Sequence, residues 1–362
     1  MLSGIKIVEI EGLGPAPFAG MMLADLGAEV TVLHRKGKTG SITAKASLLD
    51  RGKRSIELDL KDASDLEIAR ALIKQADGLI EGFRPGVMER LGLGPEECHA
   101  ANPELVYGRM TGWGQTGPRA QQAGHDLNYI ATSGALFYAG LPDETPVTPA
   151  TLLGDIGGGA LYLVAGMLAG IIKAARTQQG TVVDAAIVDG SAHMMNLLMA
   201  LGQGGGLSQT RGGSLLDGPH WSRCYRCACG GFVSVQALEP QFYAALLAAL
   251  ELSEEASMQA QHDARQWAGQ IATLSEVFAQ KTRAEWQAHF EGSEACVAIV
   301  NSPWDAAQEA HMKARDVWQR DDSHLQAAPA PRFDGKVQKI SAAPERDADR
   351  AAILAEIAAA KG

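Results

Sequence analysis

The sequence predicts an α/β fold, in which a parallel sheet flanked by helices forms a large domain and a smaller α+β domain follows. Through the first half of the chain, apolar runs of strand length alternate with amphipathic helical stretches. After residue 200 the sequence changes to Gly, Ser, Gln and Thr without clear periodicity, before a second set of strands and helices begins. With 362 residues, of which 46% are hydrophobic, the chain is long enough for two such domains.

The amino-terminal region predicts a β-α-β unit. Residues 5–10 form an apolar run of strand length, and a helical stretch follows the loop that contains Gly12 and Gly14. Gly27 is expected to end this helix, and residues 29–33 supply the next strand. Because such crossovers join parallel strands with a right-handed turn, the chain starts in a Rossmann-like manner typical of nucleotide-binding proteins.

The same alternation continues along the chain. It predicts strands at 55–58, 78–81, 105–109, 182–188 and 232–236, and helices at 62–75, from Asp155 to near Gly180, from Asp189 onward, and at 242–250, 267–279, 283–290 and 348–361. The apolar stretch 161–172 is interpreted as a buried helix, because about 20 residues are needed to cross a bilayer.

These elements predict the following domain organisation. The large α/β domain covers 1–200 and is completed by the carboxyl-terminal segment 328–362, residues 201–224 are a linker, the small α+β domain covers 225–310, and 311–327 are a return linker.

Charge and composition narrow the possible partners. The net charge is −10, so neither nucleic acid nor an acidic membrane surface is an expected partner. The first residues lack the features of a secretory signal, which favours a cytoplasmic protein. The five cysteines, an odd number, are expected to be reduced thiols.

Basic residues are concentrated in the first quarter of this acidic chain: Arg35, Lys36, Lys38, Arg51, Lys53, Arg54, Lys61, Arg84 and Arg90. Several of them come close to the ends of predicted strands, where ligands bind in α/β sheets. Guanidinium groups bind phosphate through two hydrogen bonds, so this concentration indicates a polyphosphate ligand, although solvated surface lysines are the common alternative.

Two other ligand sites are less well supported. The loop from Gly12 to Pro17 resembles a dinucleotide fingerprint only in part, because the third glycine is missing and prolines stand where backbone donors are needed. Cys224, Cys227 and Cys229, with His220 nearby, have a spacing that could bind zinc, but a second ligand pair is absent. We therefore expect no metal.

Two segments contain candidate catalytic groups. GHDLNY, residues 124–129, contains His125, although an isolated histidine is usually structural. GDIGGG, residues 154–159, places Asp155 at the apparent start of a helix, where a plain N-cap is the common explanation. Glycines in a first helical turn suggest that a substrate approaches the free amides, which could then stabilise an enolate oxygen.

From residue 2 to about 333 the chain resembles the α-methylacyl-CoA racemase branch of the family III CoA-transferases, which also include formyl-CoA transferase. The segments that carry this resemblance are LSGIKIVEIEGLGPAPFAGMMLADLGAEV, EGFRPGVMERLGLGPEEC, RMTGWGQTGPRAQQAGHDLNYI, LLGDIGGG and LEPQFYAALLAAL. Such long agreement in the same order along the chain is highly specific.

The resemblance implies a set of roles. His125 and Asp155 face each other across the α-carbon of an acyl-CoA, and Glu239 supports the histidine. The implied CoA contacts are Arg35, Leu58, Asp59, Leu60, Lys61, Gly82, Phe83, Arg84, Arg90, Gly124, Asp126, Leu127, Asn128 and Tyr129. An interlocked homodimer is also implied, with active sites between subunits.

These roles predict racemisation of 2-methylacyl-CoA by transfer of one proton. A thioester acidifies the neighbouring C–H bond, so a base and an acid on opposite faces suffice, and no cofactor is expected beyond the CoA of the substrate. An alternative uses Asp155 as the nucleophile of a CoA-transferase. A third possibility is CoA binding without catalysis. The sequence leaves the accepted acyl chains open.

Overall fold

A six-stranded parallel sheet forms the centre of the first part of the molecule. In the computed structural model, residues 1–37, 47–321 and 324–360 are described. The strands are β1 (Lys6–Ile10), β2 (Glu29–Arg35), β3 (Arg54–Leu58), β4 (Gly78–Glu81), β5 (Val106–Thr111) and β6 (Thr181–Ala186). They lie in the order β3-β2-β1-β4-β5-β6, and all neighbours are parallel. The predicted α/β fold with a parallel sheet is confirmed, and the order is that of a Rossmann sheet.

Seven α-helices accompany this sheet. They are α1 (Pro15–Asp25), α2 (Ala63–Lys74), α3 (Val87–Arg90), α4 (Pro95–Ala101), α5 (Asp126–Ser133), α6 (Leu161–Thr177) and α7 (Ile187–Met194). Local chemistry explains several starting points. Pro15 and Pro95 occupy first-turn positions that need no N–H donor, and the Asp62 carboxylate accepts the amide protons of Ser64 and Asp65 at 2.9 and 3.1 Å.

The second part of the molecule contains an antiparallel sheet and five helices. Its elements are α8 (Asn196–Gln203), β7 (Ser222–Arg226), β8 (Phe232–Gln236), α9 (Pro240–Ala249), α10 (Trp267–Phe278), α11 (Arg283–His289), β9 (Val297–Ile299) and α12 (Pro303–Ala306). The strands pair in the order β7-β8-β9. Trp221, Phe278 and Trp286 are fully buried in its core. The expected smaller α+β arrangement is present.

The chain then returns to the first sheet. Its last elements are α13 (Ala310–Ala314), β10 (Trp318–Arg320), β11 (Leu325–Ala327) and α14 (Arg350–Ala359). Ile353 and Ile357 of α14 are buried in the core cluster that contains Ile73 of α2. The predicted terminal helix therefore packs on the first sheet.

The segment before α14 covers the edge strand β3. The side chains of Asp347 and Asp349 accept the backbone amide protons of Glu57 and Ser55, both at 2.8 Å. The amide of Asp349 donates to the carbonyl of Ser55 at 3.1 Å. Edge strands present unpaired polar groups, so these contacts close this edge against further pairing.

Two apolar layers cover the faces of the parallel sheet. Ile7 of β1 packs in the cluster with Leu23 of α1 and Met167 of α6. The neighbouring Val8 points to the other face and packs in the cluster with Ile73 of α2. Because both faces are covered, the strands are nearly continuous runs of buried residues.

The chain divides into two compact units. One comprises Met1–Gly134, Pro149–Met194 and Ala307–Gly362, and the other comprises Ala135–Thr148 and Met195–Ala306. These ranges differ from the expected limits of 1–200, 201–224, 225–310 and 311–327, mainly because residues 135–148 belong to the second unit. Within that unit, the Arg211 guanidinium donates to the carbonyls of Glu144, Leu141 and Ala139 at 2.7, 2.6 and 3.0 Å, and so holds this segment.

A long apolar helix lies within the first unit. A π-helical turn, Leu152–Ala160, continues into α6, so the helical stretch Leu152–Thr177 has 26 residues, and an 18-residue window within it has a mean hydropathy of 1.6. The expectation that this region is too short to cross a bilayer is therefore wrong. Leu163, Val164 and Met167 are buried against the sheet, however, as in the core helix of a globular protein.

Candidate active site

A cavity of about 1000 Å³ lies at the carboxyl ends of the parallel strands. Its wall includes Gly12 after β1, Arg35 at the end of β2, Leu58 at the end of β3, Gly82 after β4 and Trp113 after β5. The strand order reverses between β1 and β4, and ligands in open α/β sheets bind at such a switch point.

Three exposed cationic side chains line this cavity: Arg35, Lys61 and Arg84. Arg35 ends β2, and Lys61 and Arg84 follow β3 and β4, because parallel strands bring their carboxyl ends to one edge of the sheet. Other predicted CoA contacts that line the same cavity are Leu58, Asp59, Leu60, Gly82, Phe83, Gly124 and Tyr129. The cavity can therefore bind a long ligand with several negative charges.

The remaining basic residues that the structure describes do not belong to this wall. Lys53 is fully buried and pairs with Glu9 at 2.7 Å, while Arg51 pairs with Asp25 at 2.5 Å and Arg54 with Glu29 at 2.8 Å. The basic concentration is thus partly structural. Arg90 is exposed at the end of α3 without lining the cavity, and Lys38 lies outside the described residues.

Glu81 holds the backbone that carries Phe83 and Arg84. One carboxylate oxygen accepts the amide proton of Phe83 at 2.7 Å, and the other accepts from Nε of Arg109 at 3.0 Å. Burial raises the pKa of Glu81 to about 6. Neither Glu81 nor Arg109 was predicted, because both lie inside strand patterns that resemble ordinary sheet sequence.

His125 is the N-cap residue of α5 and lines the cavity. Its backbone amide donates to the Asn128 side chain at 3.0 Å, while its side chain is exposed in the single chain. Tyr129 supports the preceding backbone, since its hydroxyl donates to the carbonyl of Gly124. A Cβ at Gly112 would lie only 1.9 Å from the Tyr129 ring, so glycine is required there.

Asp155 lies in the π-helical turn and lines the same cavity as His125. Its side chain is half-buried, and an oxygen lies 3.8 Å from the position that a Cβ on Gly14 would occupy. The pKa of Asp155 is raised to about 6, first by burial and second by the negative charge of Asp126, while His125 acts in the opposite direction. A carboxyl group with this pKa can exchange a proton near neutrality.

Sequence and structural relatives agree on the family. Residues 2–350 match the family described as CoA-transferase family III. The chain belongs to CoA-transferase family III. It is 40% identical over 351 residues to a mouse protein named alpha-methylacyl-CoA racemase, covering 96% of this chain and 90% of that one. The human protein of the same name is 40% identical over 334 residues, which cover 91% of this chain and 86% of the relative.

A solved structure has the same fold as this chain. The crystal structure of a CAIB/BAIF family protein from Brucella suis superposes with a TM-score of 0.83 at 27% identity, covering 98% of this chain and 99% of the other. The resemblance of five sequence segments to family III is thus confirmed over nearly the whole length.

Three other predicted CoA contacts of this family III chain do not line the cavity. Leu127 and Asn128 are exposed on α5, and Asp126 is buried. The Asp126 carboxylate instead accepts the amide protons of Asp155 at 2.8 Å and of Thr151 at 3.3 Å. Of residues 125–129, only His125 and Tyr129 line the cavity.

The glycine run after Asp155 has a different cause from the one expected. A Cβ on Gly158 would lie 2.7 Å from the amide nitrogen of Ser191, and a Cβ on Gly154, the glycine before Asp155, would lie 2.4 Å from Asp126 Oδ1. The glycines therefore allow α5 and α7 to pack closely on this turn. Since Asp126 already accepts from the amides of Thr151 and Asp155, these donors are not available to an enolate. Asp155 is also not an N-cap, because Thr151 holds that position.

Glu239 belongs to the second unit of this family III protein. It is the N-cap residue of α9, and its side chain is exposed. Its expected support of His125 stays a prediction.

The cysteine segment contains free thiols, of which Cys227 is buried and Cys224 and Cys229 are exposed. His220 is fully buried, and its Nε2 lies 2.8 Å from the Tyr243 hydroxyl. Burial lowers the pKa of His220 to about 4, so it remains neutral at physiological pH. In the described part of the chain, no group of three or more His, Cys, Asp or Glu side chains could hold a metal ion.

Sequence reasoning missed many residues of the cavity wall, among them Glu11 and Trp113. Glu11 accepts the backbone amide proton of Arg35 at 2.7 Å, and Trp113 contacts the Tyr129 ring edge-on at 4.8 Å between centroids. Glu11 follows β1 directly, and Trp113 follows β5, so their position after parallel strands was the available signal.

Proposed function

We propose that this protein interconverts the 2R and 2S forms of 2-methylacyl-CoA thioesters by 1,1-proton transfer through an enolate. The observation that carries the proposal is that His125 and Asp155, 30 residues apart in sequence, line one cavity together with exposed cations. Both relatives that are 40% identical are named alpha-methylacyl-CoA racemase, which agrees with this reaction.

In the proposed complex, the polyphosphate part of CoA lies against Arg35, Lys61 and Arg84. Guanidinium and ammonium groups stabilise phosphate charges, and exposed side chains of this type can adapt to the ligand. The thioester then lies against His125 and Asp155, which line the same cavity.

The two proton carriers share one proton in the proposed reaction. In one direction, the neutral imidazole of His125 removes the α-proton, and protonated Asp155 donates its proton to the other face of the carbon. The enzyme then holds imidazolium and carboxylate, which is the starting state of the reverse reaction. No metal or organic cofactor takes part in this scheme. The start of α5, next to His125, places the positive end of a helix dipole near the developing enolate.

Glu239 takes its supporting role in the proposed homodimer, in which each active site combines the large domain of one subunit with the small domain of its partner. Both units carry exposed apolar side chains that such an assembly can cover, including Leu161 and Ile172 on α6 and Leu197 and Met199 on α8. In this arrangement the partner subunit's Glu239 orients the exposed imidazole of His125 and favours its protonated form.

A CoA-transferase reaction is the second candidate, because the family as a whole bears that name. Asp155 would then attack the thioester carbonyl to form a mixed anhydride and release CoA thiolate. The thiolate would attack the Asp155 carbonyl and release the first acid, and the acceptor acid would then take over CoA through a second anhydride with Asp155. We favour the racemase, because transfer leaves His125 without a proton to carry.

The deciding experiment incubates the protein with (2R)-2-methylacyl-CoA in deuterated water. We expect one deuterium at the α-carbon by mass spectrometry and appearance of the 2S form by chiral chromatography. A parallel reaction contains an added carboxylic acid and is analysed for its CoA ester. Absence of label together with formation of that ester would establish transferase activity instead.

A further inference from the structure

We propose that Asp126 is a positioning residue that fixes Asp155 relative to His125 and sets the protonation of that aspartate. The inference rests on the proposed racemase reaction. Asp126 does not line the cavity, and so it acts through its neighbours and not by touching the substrate.

The Asp126 side chain links two separate segments. It is 8% exposed, and its Oδ1 accepts the amide proton of Asp155 at 2.8 Å while its Oδ2 accepts that of Thr151 at 3.3 Å. These two amides belong to the start of the π-helical turn. The carboxylate therefore holds the backbone of Asp155 directly, and it also holds the residue from which that turn begins.

The backbone of Asp126 is bonded to His125, the other proton carrier, and so constrains its position. Asp126 is the first residue of α5, and His125 is the N-cap before it. A single residue thus connects the two proton carriers, His125 by a peptide bond and Asp155 by a hydrogen bond. Changes of about 1 Å in the position of reacting groups cost on the order of 100-fold in rate, so this connection matters for catalysis.

The Asp126 carboxylate packs closely against the backbone of Gly154. A Cβ on Gly154 would lie 2.4 Å from Asp126 Oδ1 and 2.8 Å from Cγ2 of Ile130. The glycine before Asp155 is therefore needed so that the carboxylate of Asp126 can reach the turn. This packing independently shows that the arrangement is closely fitted.

The same contact has an electrostatic consequence. The negative charge of Asp126 disfavours the carboxylate of Asp155 and adds to the effect of burial in raising its pKa, whereas His125 opposes it. Burial raises the pKa of Tyr129, and the negative charge of Asp155 adds to this effect. The other charged or titratable groups on the elements packed against the turn are Asp25, Tyr107, Arg109, Tyr162, Lys173, Arg176, Asp184, Asp189 and His193, and none of them is among the causes of the shift at Asp155.

The test compares wild type with Asp126→Asn and Asp126→Ala. Asparagine retains one acceptor oxygen but removes the charge, whereas alanine removes both hydrogen bonds. Asp184→Asn is the matched control, because Asp184 also accepts a backbone amide proton, from Gln115 at 3.0 Å, without lining the cavity. Thermal unfolding of each variant shows whether the protein is folded.

Two readouts are needed. The first is α-proton exchange in deuterated water across pH 5–8, with kcat and KM at each pH. We expect the acidic limb of kcat to move to lower pH in Asp126→Asn, because the Asp155 carboxylate becomes easier to form. For Asp126→Ala we expect a loss in kcat of about 100-fold with KM nearly unchanged. Asp184→Asn retains the wild-type profile.

The second readout is a carbon NMR titration of the Asp155 carboxyl group without substrate, assigned by its absence in Asp155→Asn. We expect a lower pKa in Asp126→Asn than in wild type. An unchanged pKa, or an unchanged acidic limb, would overturn the inference. If wild type incorporates no deuterium but the titration shifts, the racemase proposal fails while the positioning of Asp155 by Asp126 stands.

Discussion

Asp155 and His125 line the same cavity, but the molecule supports them in different ways. Asp155 is half-buried in a turn that packs on α5 and α7, and Asp126 holds its backbone amide. His125 is exposed at the start of α5, and its backbone amide donates to the exposed side chain of Asn128. The aspartate side of the site is therefore complete within one chain. The exposed side chain of His125 can be contacted by a further group, which we propose is Glu239 of the partner subunit.

The largest expected effect is the loss of either carrier. Asp155→Asn and His125→Gln each remove a group that transfers the proton, and we expect exchange at the α-carbon to fall by about 100- to 10,000-fold. Deuterium incorporation measures the loss, and calorimetric titration with CoA should show nearly unchanged binding. A fall of only a few-fold in either variant would contradict its assigned role.

Gly154→Ala tests the support of Asp155 without changing any reacting group. The added Cβ would lie 2.4 Å from Asp126 Oδ1, so the turn must shift. We expect kcat to fall by about 100-fold. Gly269→Ala in α10 is the control, because nothing lies within 4 Å of its Cβ position. Equal activity of the two variants would show that the close packing at Gly154 is unimportant for the reaction.

Glu239→Gln tests the proposed support of the His125 side chain by Glu239 of the partner subunit. Loss of the carboxylate that orients the imidazole is expected to slow turnover by about tenfold, with unchanged affinity for CoA. Co-expression with Asp155→Asn subunits gives a sharper result. In a shared-site dimer, each mixed pair contains one wild-type site, so activity rises above that of either variant alone. Without this rise, each site is built from one chain.

Asn128→Ala should have the smallest effect. It removes a hydrogen bond of 3.0 Å to the amide of His125, at an exposed position where such caps contribute about 0.5–1 kcal/mol to stability. We expect a decrease in kcat of about threefold at most. Thr282→Ala removes a similar cap from α11 and serves as the control for thermal unfolding. If Asn128→Ala lowered kcat as much as Gly154→Ala, the reaction would depend on the hydrogen bond at His125 as strongly as on the packing beside Asp155.

The sheet could be predicted from the sequence because its strands are short buried apolar runs between glycines and polar loops. The bounds 78–81 agree with β4, and the bounds 232–236 agree with β8 of the antiparallel sheet. The helix expected to start at Asp189 begins earlier, at Ile187, because the chain turns directly from β6 into α7 without a capping residue. Side-chain caps are a local signal, and here tertiary packing determines the start.

The two carriers could be named from the sequence, but their support could not. His125 and Asp155 lie in segments that resemble family III, whereas the hydrogen bond from Asp155 to Asp126 spans 29 positions and leaves no local pattern. The glycines after Asp155 were assigned to the substrate, yet helix packing explains them, since Gly158 and Gly190 approach each other through the backbone. A run of glycines indicates that a group approaches the backbone closely, but it does not show whether that group is a substrate or a packed helix.

The covering of β3 by Asp347 and Asp349 has a consequence for synthesis of the protein. Strands β1 to β6 have all left the ribosome well before residue 347 is made. The backbone N–H and C=O groups at the β3 edge of the nascent sheet therefore lack this cover until late in translation. Truncation just before residue 347 would leave this edge bare in the finished chain, where it can recruit a strand from another molecule.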